Sequence, residues 1–216
     1  MTLTSRHIAA IRKDYQLAAL DDAAVGTDPL AFFGKWFIEA QAADVPEVNA
    51  MVLATVDERH NPHARIVLLK GLDEKGFVFY TNYQSAKGHD LEVNPNAALV
   101  FFWQELERQV RVEGIVEKVS EEDSDHYFNS RPEGSRIGAW SSPQSQVIND
   151  RTLLDDNYKK YQQQFSGSII PRPPYWGGYC VVPDRVEFWQ GRSSRMHDRL
   201  VFTKSEGEWQ KSRLAP

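Results

Sequence analysis

Arg65-Ile66-Val67-Leu68-Leu69-Lys70 sets two different cations at the ends of an apolar run. Arginine offers a planar fork that matches phosphate, and lysine a mobile point charge. The four residues between them favour a strand, and one buried on both faces is expected. In an ideal strand, positions five apart point to opposite faces, so Arg65 and Lys70 would serve different parts of a ligand, or different ligands. Two cations that simply extend to solvent along apolar stems would give the same pattern, and this stretch alone does not choose. Tyr127, Arg131 and Ser135 follow one another at four-residue spacing, which on a helix would put them on one face. Pro132 forbids a continuous helix there, so two short helices are expected to meet at Arg131.

Other reactive residue types are sparse. The six histidines form no group with Cys, Asp or Glu at metal-ligand spacing, and His60-x-x-His63 reads as a solvated turn, so no metal is expected. Cys180 is the one cysteine, which excludes an internal disulfide and fits a reducing cytoplasm. It stands in the strand-like run Gly178-Tyr179-Cys180-Val181-Val182 and reads as a small apolar residue.

The elements that must position these residues follow from periodicity. With 216 residues and 41% hydrophobic content, the chain can bury a substantial core. A net charge of −5 and a pI of about 5.7 argue against nucleic-acid binding. No apolar run has membrane-spanning length, and Met1-Thr2-Leu3-Thr4-Ser5-Arg6 lacks the apolar core of a signal peptide. Ile8, Ile11 and Tyr15 predict a short amphipathic helix over 5–16, and Asp21 to Thr27 a mobile connector. Asp28-Pro29 opens a helix to about Ala43. Strands are predicted over 51–56, 63–70 and 77–80 as an antiparallel meander, then over 97–103 and 109–116. Helices are predicted from Ser85 to about Val93, from Ser120 to about Asn129, over 133–140, and around Leu154 to Phe165. Strands at 178–182, 185–190, 199–203 and 208–213 finish the chain. The fold class is mainly β with helices, and neither G-x-G-x-x-G nor a P-loop is present, so any nucleotide-like cofactor must be held by side chains.

Side chains suited to that task recur in order. The segments Arg65–Lys70, Phe79-Tyr80-Thr81-Asn82, Leu106-Glu107-Arg108-Gln109-Val110, Ser130-Arg131-Pro132, Ile137-Gly138-Ala139-Trp140, Gln144-Ser145 and Trp176-Gly177-Gly178 come first. Val186-Glu187-Phe188-Trp189-Gln190-Gly191, Arg195-Met196-His197-Asp198-Arg199 and Arg213-Leu214-Ala215-Pro216 complete the set. From about residue 28 onward the chain closely resembles the pyridoxine (pyridoxamine) 5′-phosphate oxidase family.

That resemblance implies an FMN-binding split β-barrel decorated by helices, over residues 28–216 as a single domain, with 1–27 as an N-terminal segment. It implies a cytoplasmic homodimer with two sites at the subunit interface and no nucleic-acid or membrane partner. The implied reaction oxidises pyridoxamine 5′-phosphate or pyridoxine 5′-phosphate to pyridoxal 5′-phosphate, with dioxygen as acceptor and hydrogen peroxide as product. Carried over by position, Arg65, Ile66, Val67, Leu68, Leu69, Lys70, Tyr80, Thr81, Lys87, Gln109, Gln144, Ser145, Trp189 and Arg199 resemble FMN contacts. Lys70, Tyr127, Arg131 and Ser135 resemble a clamp for the substrate phosphate. Arg195 and His197 resemble the pair against the pyridine ring, sharing a face if their segment is extended. For His197, proton exchange and pure positioning are both open. Ala86 departs from the family, which often carries arginine between the serine and the lysine. Two other readings are a flavin reductase of the same fold and a protein that only binds FMN or pyridoxal phosphate. The first need not keep Arg131, Ser135, Arg195 and His197 together; the second needs no paired flavin and pyridine sites.

Overall fold

The structure is a computed structural model describing residues 13–216. Of the helix expected over 5–16, residues up to 12 lie outside the described residues, and 13–16 are irregular. Asp21 to Thr27 is not a plain connector. It contains α1 (Asp22–Val25), because the Asp21 carboxylate accepts from Ala23 N–H as a cap and Val25 is buried. Next come α2 (Pro29–Ala42), β1 (Ala50–Val56), β2 (Pro62–Leu68), β3 (Gly71–Leu72), β4 (Phe77–Asn82) and α3 (Ala86–Val93). They are followed by β5 (Asn96–Trp103), β6 (Arg108–Lys118), α4 (Glu121–Ser130), α5 (Glu133–Ser141) and α6 (Thr152–Gln164). The chain closes with β7 (Trp176–Gln190), β8 (Asp198–Ser205) and β9 (Glu208–Leu214). The mainly β, helix-decorated class read from the sequence is borne out. Among the described residues, no helix is long and apolar enough to cross a membrane.

Hydrogen bonding orders the strands β2-β1-β5-β6-β7-β4-β3, with β8 on β7 and β9 on β8. Two expectations change here. The strand carrying Arg65 was expected to be buried on both faces, but β2 ends the order with one neighbour and leaves Ile66 64% exposed. It also stops at Leu68, where Leu69 turns inward and donates its N–H to Asn49 O. The two strands expected at 178–182 and 185–190 are one, because Pro183 costs the ladder a donor without ending the extended backbone. Gly114 on β6 makes room for it, since a Cβ there would stand 2.1 Å from Val182 O.

The chain divides into two compact units. One comprises residues up to Val48 with Val100–Arg111 and Arg185–Pro216. Its core is aromatic: Phe33 of α2 packs 4.9 Å from Phe101, and Phe32 lies 4.7 Å from Phe188. Arg108 seals that core, its guanidinium 4.4 Å over Trp36 and paired with Glu39 at 2.6 Å. The other unit comprises Asn49–Leu99 and Val112–Asp184. In its sheet, β4 pairs antiparallel with β7 from Phe77↔Val181 to Asn82↔Trp176, and Phe77, Phe79 and Val181 are buried. In its helical layer Phe128, Ile137, Ile170 and Trp176 cluster, with Tyr80, Tyr127, Trp140 and Phe165 packed around them.

Candidate functional site

Within the second unit lies a cavity of about 700 Å³. Its walls come from the outer part of β2, the end of β4, the first turn of α3 and the junction of α4 with α5. Arg65, Ile66, Val67, Leu68 and Lys70 all reach it, followed by Tyr80, Thr81, Lys87 and Gln144. Arg65 and Lys70 therefore do not serve opposite faces; the chain leaves the strand after Leu68, and strict alternation ends there.

Arg65 is fixed from behind. Register places it opposite Leu53, and its Nη1 donates to Leu53 O at 3.2 Å and to Thr55 Oγ1 at 2.6 Å. Nη2 lies 3.6 Å from the carboxylate of Asp90, which also accepts from Thr55 Oγ1 at 2.6 Å. Burial alone would raise the Asp90 pKa; donation from Thr55 and His63 and the Arg65 charge outweigh it and hold the group below its ordinary value. Lys87 stands on the first turn of α3, capped by Ser85. Its Nζ donates at 3.3 Å to Thr81 Oγ1, Ser85 Oγ and Gln144 Oε1, all neutral oxygens. Burial first, and then the Arg65 charge, lower its pKa. Two cations that repel each other and face one cavity are a seat for an anion.

The four residues expected to clamp a substrate phosphate gather at the same cavity: Lys70, Tyr127, Arg131 and Ser135 line it. The break expected at Pro132 is present, with Arg131 extended (φ −73°, ψ 149°) between α4 and α5. Arg131 Nη1 is buried and has no hydrogen-bond partner. Burial, set only partly against the neighbouring Tyr127, lowers its pKa. Tyr127 stacks on Tyr80 with ring centroids 3.9 Å apart.

The remaining residues lie elsewhere. Leu69 is buried and Ser145 is exposed with a left-handed φ of 69°; neither lines the cavity. Gln109, Trp189, Arg195, His197 and Arg199 belong to the first unit. There Arg199 faces Trp189 across β7 and β8, and its Nε donates to the buried Glu187 carboxylate at 2.9 Å. Trp189 and His197 lie 4.5 Å apart between centroids. His197 Nδ1 accepts the Arg192 N–H at 3.1 Å, so the neutral ring carries its proton on Nε2. Burial, and then Arg195, lower its pKa. The extended backbone under which Arg195 and His197 would share a face is absent; residues Ser193–Arg195 form a tight turn with Ser194 and Arg195 left-handed at φ 58° and 61°.

Sequence reasoning missed the contacts of four residues around these positions. Tyr15 was read as part of a helix face, yet its ring lies 5.8 Å from Trp189 and 6.2 Å from His197. The buried Glu107 carboxylate holds that segment by accepting from Gln16 and Leu17 N–H. Asp90 sits in a polar helix with no local signal for the long-range Thr55 and Arg65 contacts. Trp176 belongs to a quoted segment, but only the fold brings it beside Arg131.

The sequence matches the family described as pyridoxamine 5′-phosphate oxidase over residues 37–165, and the pyridoxine 5′-phosphate oxidase C-terminal dimerisation region over 176–216. The chain belongs to the pyridoxamine 5′-phosphate oxidase family. A pyridoxine/pyridoxamine 5′-phosphate oxidase of Ralstonia pickettii (strain 12J) is 59% identical over 210 residues, 97% of this chain and 99% of that protein. One from Synechocystis sp. is 54% identical over 209 residues, 97% of this chain and 98% of the relative. Among solved structures, PhzG from Burkholderia lata 383 in complex with tetrahydrophenazine-1-carboxylic acid superposes with a TM-score of 0.87 at 26% identity, covering 93% of this chain and all of that one. A pyridoxamine 5′-phosphate oxidase-related, FMN binding protein of Nostoc punctiforme has a TM-score of 0.69 at 17% identity, over 88% of this chain and all of that one, a likeness of fold. The split-barrel class expected from the sequence is the fold of this oxidase family.

Proposed function

We propose that this protein is an FMN-dependent oxidase that converts pyridoxamine 5′-phosphate and pyridoxine 5′-phosphate to pyridoxal 5′-phosphate, with dioxygen as acceptor. The observation that carries the reading is that one cavity is lined by two groups of side chains suited to phosphate, Arg65 with Lys87 and Lys70 with Arg131, Tyr127 and Ser135. A cofactor and a substrate that each end in a phosphate require such a pair. The donor set fits FMN: the mutually repelling Arg65 and Lys87 for its phosphate, and Thr81 and Gln144 for polar atoms. FMN held there would supply the two-electron oxidation chemistry, with dioxygen as the final acceptor and hydrogen peroxide as its product. The protein's own part is to bind and aim. Arg131, Lys70, Tyr127 and Ser135 anchor the substrate phosphate and fix the distance from that anchor to the reacting carbon. Arg195 and His197 hold the pyridine ring. A neutral His197 with its proton on Nε2 donates a hydrogen bond there, which favours positioning over proton abstraction.

The assembly in this reading is a homodimer with two sites, each taking residues from both subunits, in keeping with the matched dimerisation region. The setting is the cytoplasm, in accord with the buried Cys180 thiol, whose pKa burial pushes up to about 11. A flavin reductase of the same fold has no use for the unpaired Arg131. The test is incubation of purified protein with FMN and pyridoxamine 5′-phosphate in air. Equal amounts of aldehyde and peroxide support the proposal; a colourless protein that retains no FMN, or one that forms no aldehyde, overturns it.

A further inference from the structure

Arg131 is held by aromatic faces and not by a counter-charge. Its guanidinium carbon lies 4.7 Å from the Trp176 ring centroid and 5.8 Å from that of Phe128. Among the described residues no carboxylate pairs with it, and Nη1 is buried without a partner. Trp176 opens β7 opposite Asn82, lines the cavity and is 6% exposed. Its indole is nearly parallel to Tyr127 and Tyr80, with interplanar angles of 5° and 12°, so the ring is locked on several sides.

We propose that Trp176 is a positioning residue that sets the specificity for a phosphorylated substrate: its indole face fixes the Arg131 guanidinium while leaving the in-plane N–H groups free for the 5′-phosphate. A carboxylate in this place would neutralise the cation and occupy the same N–H donors that the phosphate needs. An aromatic face attracts the charge from above the plane and consumes no donor. Arginine then reaches the substrate already oriented, and less ordering is left to occur on binding.

This inference rests on the proposed oxidase reading, and Trp176→Leu and Trp176→Phe in the FMN-loaded protein test it. In Trp176→Leu the KM for pyridoxamine 5′-phosphate rises roughly 3- to 30-fold, the span from an exposed to a desolvated cation–π contact, with kcat close to the parent's. Trp176→Phe retains a ring and loses less. Unphosphorylated pyridoxamine is used as poorly by both variants as by the parent. The dissociation constant for pyridoxal 5′-phosphate, read by equilibrium dialysis, rises by the same factor, while those for pyridoxal and FMN stay put. In an Arg131→Leu background, Trp176→Phe adds no further loss, which a general packing defect would not reproduce. Should Trp176→Leu fail to fold, Trp176→Phe carries the test alone. Equal losses for phosphorylated and unphosphorylated compounds, or an unchanged KM, overturn the inference. A parent that does not oxidise pyridoxamine 5′-phosphate overturns the oxidase reading and this inference together. An active parent whose Trp176 variants discriminate phosphate as it does overturns the inference alone.

Discussion

Arg131 and Lys87 are the two cations on which most depends, and each gives a separate measurement. A charge-assisted hydrogen bond contributes about 1.5–3 kcal/mol, so Arg131→Leu should lower kcat/KM for pyridoxamine 5′-phosphate by roughly 10- to 150-fold. Unphosphorylated pyridoxamine should be unaffected, and steady-state kinetics on both substrates check this. Lys87 has its pKa lowered by burial and by Arg65 before any anion arrives. A bound phosphate stabilises the charged form and raises that pKa, so FMN affinity is full below the free-state pKa and falls as pH climbs through it. A titration of the FMN dissociation constant should show this loss beginning below the ordinary lysine value of about 10.4. In Lys87→Met the alkaline loss disappears and affinity is low throughout. At this scale the sequence was informative about residue types and silent on environment. The expectation that Arg131 takes a phosphate came from spacing and resemblance; that its Nη1 is buried without a hydrogen-bond partner, beside Trp176 and Phe128, depends on contacts up to 45 positions away.

Among the elements, α3 is the most constrained, because it carries Lys87 and Asp90 toward the cavity and toward Thr55. It lies hard against the turn that precedes it: a Cβ on Gly88 would stand 2.0 Å from Tyr83 O. Gly88→Ala must therefore push the helix off that carbonyl, moving Lys87 and Asp90 with it. Overpacking of this kind costs about 1–3 kcal/mol, and backbone gives way less readily than side chains. Denaturant unfolding should show that loss, with FMN affinity falling in the same variant. Helix starts were well marked in the sequence, since Asp28, Ser85 and Ser120 all cap as their types suggest. Strand exposure was not. An apolar run such as Ile66–Leu69 has the same composition in a sheet's centre and at its end, and only the pairing order decides. Tyr15 shows the same limit: its apolar spacing fits a helix face, but Glu107 tethers the neighbouring backbone from about 90 positions away.

For the molecule as a whole, ligand binding and stability are coupled. A cofactor that binds only the folded chain adds about 2.7 kcal/mol at a hundredfold excess over its dissociation constant. For a chain of this length that amounts to roughly 5–11 °C in Tm, and differential scanning with and without FMN measures it. Riboflavin, which lacks the phosphate, should give a smaller shift. The fold class could be read from alternating patterns, yet the separation of the residues expected at the site into two compact units could not, because sequence order interleaves those units. The unpaired Arg131 also has an evolutionary reading. Keeping a half-buried guanidinium whose Nη1 has no hydrogen-bond partner is a standing liability for the empty protein, one that aromatic contacts offset only in part. Selection for fold alone would discard it: ligand-free Arg131→Leu should melt higher than the parent by about 1 kcal/mol, or roughly 2–4 °C. Its Tm should gain less from pyridoxal 5′-phosphate. A descendant freed from acting on phosphorylated pyridines would then be expected to lose this arginine early, and its replacement by an aliphatic residue would mark the lineages in which the activity has lapsed.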